Sequence, residues 1–404
     1  MESYKRLLNY VKIYTTSDEG SETAPSAERE FDLAKLLVDE LHQIGVENAA
    51  VDDNCYVYAS LPATPGYEKK ARLGFIAHMD TSPDFTGENV KPRIIENYDG
   101  GEVVLGTSGR VLSPAKLPHL PSLKGRTLIV ADGTTLLGAD DKAGVAEIMT
   151  AVETIINEKI PHGKICIAFT PDEEVGRGTE HFNVEKFGAD YAYTVDGGPE
   201  GEIQYENFNA AAARININGF NIHPGDAKNK MINALLVAME LNAMLPDETP
   251  SNTEGYEGFF HLIDLHGSIE KAEMTYIIRD HSSEIMKARK ATLTHAVKML
   301  NEKYGEGTAK LEIIDQYPNM REKIEPCMHL IDNAVEIAKG LGIEPIVAPI
   351  RGGTDGAMLS FMGLPCPNLG TGGFAFHGPY EHITVEGMEK CTALIIGLIK
   401  KYAE

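Results

Sequence analysis

An alternation of short apolar strands with helical stretches, broken once by a block of different order, constrains this chain more than any other feature. Strands are predicted over residues 57–61, 73–77, 127–130, 165–169 and 191–195, with a long helix over 142–158 between two of them. Strands alternating with helices point to a layered α/β domain. From about 208 to 317 the order changes to strand 210–217, helix 231–245, strand 258–265, strand 272–279, helix 283–303 and strand 309–314. That is the split βαββαβ pattern. Turn-rich stretches flank it, Gly197-Gly198-Pro199-Glu200-Gly201 before and Tyr317-Pro318-Asn319-Met320 after. The α/β signal then resumes with helix 329–341, strand 345–349 and a closing helix 385–402. The predicted fold is thus α/β, a larger domain of residues 1–207 and 321–404 with a smaller ferredoxin-like βαββαβ domain, 208–320, inserted into it.

Composition narrows the function. The 404 residues are 43% hydrophobic and 24% charged, which excludes disordered and collagen-like chains. Thirty-seven Lys and Arg against 60 Asp and Glu leave a net charge of −23, a poor match for the polyanionic surfaces of nucleic acids and membranes. No apolar run is long enough for a transmembrane helix. The N-terminus reads as an amphipathic helix rather than a secretion signal. Ser26 is the predicted N-cap of a second helix with Leu33, Leu36, Leu37, Leu41 and Ile44 on its apolar face. Five widely spaced cysteines (55, 166, 327, 366 and 391) argue against a disulfide framework and for a cytoplasmic location.

Four segments share one arrangement: an apolar stretch ends and metal-capable side chains follow at once. They carry His78 and Asp80, Asp140 and Asp141, Glu173 and Glu174, and Asp196; a fifth, later candidate carries His377 and Glu381. Sites in open α/β sheets lie beyond the carboxyl ends of strands. Two imidazoles and several carboxylates with no thiolate suit zinc, or another first-row divalent ion, in a hydrolytic centre. In an extended chain His78 and Asp80 point the same way, so the carboxylate can orient the imidazole. Glu173 and Glu174 point apart if extended, one toward metal and one toward a water. Asp140 is the candidate bridge between two ions. Each segment alone has a plainer reading: Asp140 or Asp141 as a helix cap, the Glu pair as a solvated loop, Asp196-Gly-Gly as a turn. Five together favour a metal centre. Arg279 and Arg351 could hold a carboxylate or merely tie loops together.

The stretches AHMDTSPD (77–84), LLGADDKAG (136–144), FTPDEEVGRG (169–178), YTVDGG (193–198), HPGDAKNKMINA (223–234), PIRGGTDGA (349–357) and HGPYE (377–381) make the chain resemble the cocatalytic-zinc metallopeptidase family that holds carboxypeptidase G and aminoacylase-1. The likeness runs over nearly the whole chain and is strongest to its tripeptide-aminopeptidase branch. It implies two zinc ions per subunit: His78 and Asp196 on one, Glu174 and His377 on the other, Asp140 on both. It further implies Glu173 as general base, Asp80 as orienter of His78, a cis peptide after Asp140, and a small-domain His223 that steadies the oxyanion. The family often has Ser after its last His ligand; here Gly378 follows, and His382 lies nearby as a second candidate. The expected activity is release of the N-terminal residue from tripeptides. Alternatives are an amidase acting on N-acyl amino acids and a non-catalytic peptide-binding member. The resemblance leaves open a homodimer and whether His223 acts in its own subunit.

Overall fold

A computed structural model describes all 404 residues. They fall into two compact units. The larger comprises Met1–Tyr205, Glu322–Ala348 and Thr354–Glu404, and the smaller Glu206–Arg321 with Pro349–Gly353.

An eight-stranded mixed sheet forms the centre of the larger unit. Its order is Ala50–Val51, Val57–Leu61, Ile165–Thr170, Leu73–His78, Tyr191–Gly197, Asn368–Gly370, Glu202–Gln204, Ile346–Val347. Leu73–His78 runs parallel to both Ile165–Thr170 and Tyr191–Gly197. The first two of these strands are buried along their whole length, as their unbroken apolar runs require of strands covered on both faces. Because the three are parallel, their carboxyl ends share one edge of the sheet. That edge collects His78, the Asp172–Glu174 turn and Asp196. A smaller sheet, ordered Gly373–Phe374, His382–Thr384, Leu128–Val130, Arg93–Ile95, and the hairpin Val103–Leu105/Arg110–Leu112 belong to the same unit.

In the smaller unit the strands run in the order Phe259–Gly267, Lys271–Asp280, Asn209–Asn218, Ala309–Tyr317, all antiparallel. Helices Ala234–Met244 and Ser283–Tyr304 contribute Val237, Leu241, Leu293 and Leu300 to a core with Ile215, Tyr276 and Ile278. Asn233 and Ser282 cap the two helices by accepting backbone N–H bonds.

Local expectations need correcting in two places. Ser26 is not an N-cap: the helix runs Glu30–Gln43 with no side-chain cap, and the Ser26 amide instead donates to the Asp172 carboxylate. Leu36, placed on that helix's apolar face by its spacing, is exposed. The N-terminal helix Ser3–Tyr10 is amphipathic in an unusual way, since it buries Arg6, whose guanidinium is paired with Glu40 and Glu153. All five cysteines are free, four of them buried. No helix is long and apolar enough to cross a membrane.

Candidate metal centre

Each chemical group is placed by a local feature of the chain. His78 is the last residue of its strand and is buried. Asp196 lies one residue from the end of its own strand. Glu173 and Glu174 begin a short 3-10 turn after Asp172, whose φ of 57° turns the chain sharply at the strand end. The pair is therefore helical rather than extended, and it is the turn that separates the two side chains. Asp140 and Asp141 precede the regular part of helix Ala139–Asn157, have non-helical dihedrals and are joined by a cis peptide. His377 sits in a loop where it and Ala375 both have φ near +60° (62° and 56°). Backbone in that region is uncommon for residues with a Cβ and clusters at functional sites.

The resulting geometry has two foci. His78 Nε2 lies 3.1 Å from Asp140 Oδ1 and 3.5 Å from Asp196 Oδ1. His377 Nε2 lies 3.2 Å from Asp140 Oδ2 and 3.0 Å from Glu174 Oε2. The two oxygens of one carboxylate, Asp140, thus face two different His–carboxylate pairs. Metal-sized groupings are formed by His78, Asp141 and Asp196 and by His78, Asp140 and Glu174. Asp141 has another task as well: its carboxylate accepts the amides of His78 and Gly144, at 3.1 and 3.2 Å. It caps the helix, as the plainer sequence reading allowed.

Supporting contacts fix this arrangement. Asp80 Oδ1 is 3.2 Å from His78 Nδ1, and its two oxygens accept the backbone amides of Glu173 and Glu174, each at 3.1 Å. One buried carboxylate therefore positions both the imidazole and the Glu turn. Asp84 stands 3.4 Å from His377 Nδ1 in the corresponding place. Glu381, buried, accepts the amides of Leu137, Gly138 and Asp140 at 2.8–2.9 Å and so holds the Asp140 loop. Asp355, also buried, accepts the Thr170 hydroxyl at 2.8 Å. Sequence reasoning missed Asp84 and Asp355 as site residues. Asp84 stood inside the AHMDTSPD stretch, but nothing local pairs it with His377. The His-x-x-x-Glu spacing pointed to Glu381 without revealing its partners. His382 is not part of the centre: its Nδ1 donates to the Tyr380 carbonyl, and its Nε2 meets His119 at 2.8 Å.

Electrostatics mark the same foci. Burial lowers the His78 pKa, but Asp196, Asp140 and Asp80 raise it well above the ordinary value. Hydrogen bonds to Asp140 and Glu174 raise His377 to about 11. Burial, then Asp140, raises Glu174 to about 7, and burial followed by Asp196 pushes Glu173 well above the usual range. Without another cation, two protonated imidazoles must balance the carboxylates. Glu174 Oε1 is buried with no hydrogen-bond partner, an expensive state for a carboxylate oxygen. A divalent cation at each focus relieves both conditions, so the donor set fits a pair of such ions.

Three predicted substrate residues, His223, Arg279 and Arg351, belong to the smaller unit. His223 is exposed and its Nδ1 accepts the Gly225 amide. Arg279 stacks over Tyr317 and donates to the carbonyls of Ala211 and Ile278. Arg351 donates to the carbonyls of Gly255, Glu257 and Thr253 and to the Thr253 hydroxyl. Its donors thus meet a loop of the same unit.

Residues 130–401 match the model of peptidase family M20/M25/M40. This chain belongs to that family. It is 54% identical to a peptidase T of Alkaliphilus oremlandii over 99% of both chains. Among solved structures, aminopeptidase PepT of Bacillus cereus superposes with a TM-score of 0.80 at 25% identity, covering 100% of this chain and 98% of that one. A Bacillus subtilis dinuclear metal-binding peptidase of the M20 family gives a TM-score of 0.65 at 15% identity, over 99% and 98% of the two chains, and shares the fold. The M20/M25/M40 match begins at the end of strand Leu128–Val130 and includes Asp140, Glu173, Glu174, Asp196 and His377.

Proposed function

We infer that this M20 peptidase is a two-metal aminopeptidase that releases the N-terminal residue of tripeptides. One observation carries the reading: the two oxygens of Asp140 face two separate His–carboxylate pairs. His78 and Asp196 would hold one ion, Glu174 and His377 the other, and Asp140 both. Asp140 rather than Asp141 is assigned to the bridge because Asp141 already serves two backbone amides. Nitrogen and oxygen donors without thiolate favour zinc. When bound, such a pair supplies Lewis acidity to the scissile carbonyl and acidifies the attacking water.

The chain's own groups do the rest. Glu173, with its pKa raised by burial, takes the proton of the attacking water and returns it to the departing amine. Asp80 fixes the His78 tautomer and sets the Glu173 amide. His223, exposed on its own unit, is assigned to the oxyanion. The tripeptide specificity is supported by likeness to the peptidase T relatives. Five unpaired cysteines suit work in a reducing cytoplasm.

The test is metal content together with hydrolysis of Ala-Ala-Ala. Wild-type protein loaded with zinc should release free alanine and stop when chelated. Glu173→Gln should keep about two metal equivalents while turnover falls by ~10²–10⁴-fold, the usual contribution of a general base. Turnover near wild type in that variant would remove Glu173 from the mechanism. Cleavage of N-acetyl amino acids but not of tripeptides would favour the amidase alternative.

A further inference from the structure

A strap formed by residues 15–30 grips two of the strand ends that carry the catalytic groups. Its Thr15, Thr16, Ser17, Ser26 and Glu30 are polar and buried. On one side it holds the chain around Asp80. The Thr15 hydroxyl donates to the Met79 carbonyl at 2.8 Å, the Ser17 amide donates to the Thr81 carbonyl at 3.2 Å, and the Thr16 and Thr81 hydroxyls lie 2.9 Å apart. On the other side it holds the turn of Glu173 and Glu174. The Ser26 amide meets both oxygens of Asp172, at 2.9 and 2.7 Å, and the Asp172 amide donates to Glu30 at 3.2 Å. Arg177, at the far end of that turn, donates to the carbonyls of Ser21 and Thr23 and lies 3.4 Å from Asp172 Oδ2. Its amide donates to the Asp172 carbonyl at 2.9 Å.

Asp172 is where these contacts converge, and Glu173 follows it directly. Its φ of 57° is a conformation that costs free energy and persists only where the surroundings hold it. Glu30 is one of the groups that hold it. Burial, then Asp80 and Asp172, raises the Glu30 carboxyl to about 10, so it keeps its proton and faces the Asp172 carboxylate without charge repulsion. An apolar side chain of that size would fill the same space at lower cost. What the acid adds is position. We propose that Glu30 and Arg177 are positioning residues for the peptidase reaction, which act through Asp172 to fix the backbone from which Glu173 reaches the attacking water. The inference rests on the reading of Glu173 as general base.

The experiment measures kcat and KM of the zinc-loaded full chain on Ala-Ala-Ala, together with metal content. Glu30→Ala should keep about two zinc equivalents and a KM close to wild type, while kcat falls by roughly 10–100-fold, the scale on which a group displaced by about 1 Å loses rate. Glu30→Gln, which keeps an oxygen for the Asp172 amide and a donor toward its carboxylate, should recover most of that loss. Arg177→Ala, which frees Ser21 and Thr23, should lower kcat by a smaller factor, again at unchanged KM. Leu33→Ala, a buried apolar change in the same helix, should lower the melting temperature yet leave kcat unchanged well below it. Wild-type kcat in folded Glu30→Ala, or a loss of kcat in Leu33→Ala as large as that in Glu30→Ala, overturns the assignment. If Glu30→Ala does not fold, wild-type kcat in Arg177→Ala overturns it. A wild type that hydrolyses no tripeptide, or full turnover in Glu173→Gln, removes the general-base reading itself, a result distinct from an active enzyme indifferent to Glu30 and Arg177.

Discussion

Glu147 shows how much a single buried group can matter without touching the reaction. It lies inside helix Ala139–Asn157, fully buried, with both carboxylate oxygens lacking a hydrogen-bond partner. Burial pushes its carboxyl pKa well above the usual carboxylate range. The folded chain therefore keeps a proton that the unfolded chain loses above about 4.5. Stability falls as pH rises from there, by up to ~1.4 kcal/mol per pH unit, until the folded group also ionises. Glu147→Gln, neutral and of similar shape, should remove this contribution, so its stability relative to wild type should grow between pH 5 and pH 8. Urea unfolding of both proteins at several pH values measures it, and parallel pH profiles would refute it. Nothing around Glu147 in the sequence announces this. Its acidic side chain reads as solvated until the helix is packed. His78, Asp140, Glu173, Glu174 and Asp196 were legible because each follows an apolar run directly. Asp84 and Asp355 were not, because their partners, His377 and Thr170, lie far along the chain.

The link from sequence to site is tightest at the start of helix Ala139–Asn157. The chain enters it through the cis-linked Asp140 and Asp141, and Gly144 then lies against strand Tyr191–Gly197. A Cβ on Gly144 would overlap the carbonyl oxygen of Val195 and crowd the Asp141 carboxylate. The glycine thus sets how closely the helix approaches the strand that presents Asp196. Gly144→Ala should destabilise the fold by about 1–3 kcal/mol, as overpacking does, and weaken metal retention by shifting the start of the helix, and with it Asp140, relative to Asp196. Thermal unfolding with and without zinc tests both effects; a variant with wild-type melting temperature and metal content would contradict them. The sequence located this helix start to within a few residues. It could not show the close approach, because a glycine in a helical run looks the same whether it faces solvent or a neighbouring backbone.

Across the whole molecule, the candidate metal centre gathers charge that the fold alone does not neutralise. Asp140, Glu174 and Asp196 converge with only His78 and His377 to balance them, and burial raises Glu174 and Asp196 to about 7 and about 6. Cations that bind the folded chain alone stabilise it by mass action, about 2.7 kcal/mol at a concentration 100 times the dissociation constant. Removing them with a chelator should lower the melting temperature by several degrees, and added zinc should restore it. A melting temperature indifferent to both would show that the cluster holds no ion. The amino-acid order by itself determined the α/β alternation, the βαββαβ block and the strand-end placement of five acidic or imidazole segments, because periodicity and turn chemistry act over a few neighbouring residues. Only the tertiary structure decided that Asp140 faces two His–carboxylate pairs, that Glu381 and Asp80 brace the loops from a distance, and that Arg351 donates to the groups of Thr253, Gly255 and Glu257. Those outcomes depend on which strand lies beside which, and on parallel pairing that brings the carboxyl ends of Leu73–His78, Ile165–Thr170 and Tyr191–Gly197 to one edge.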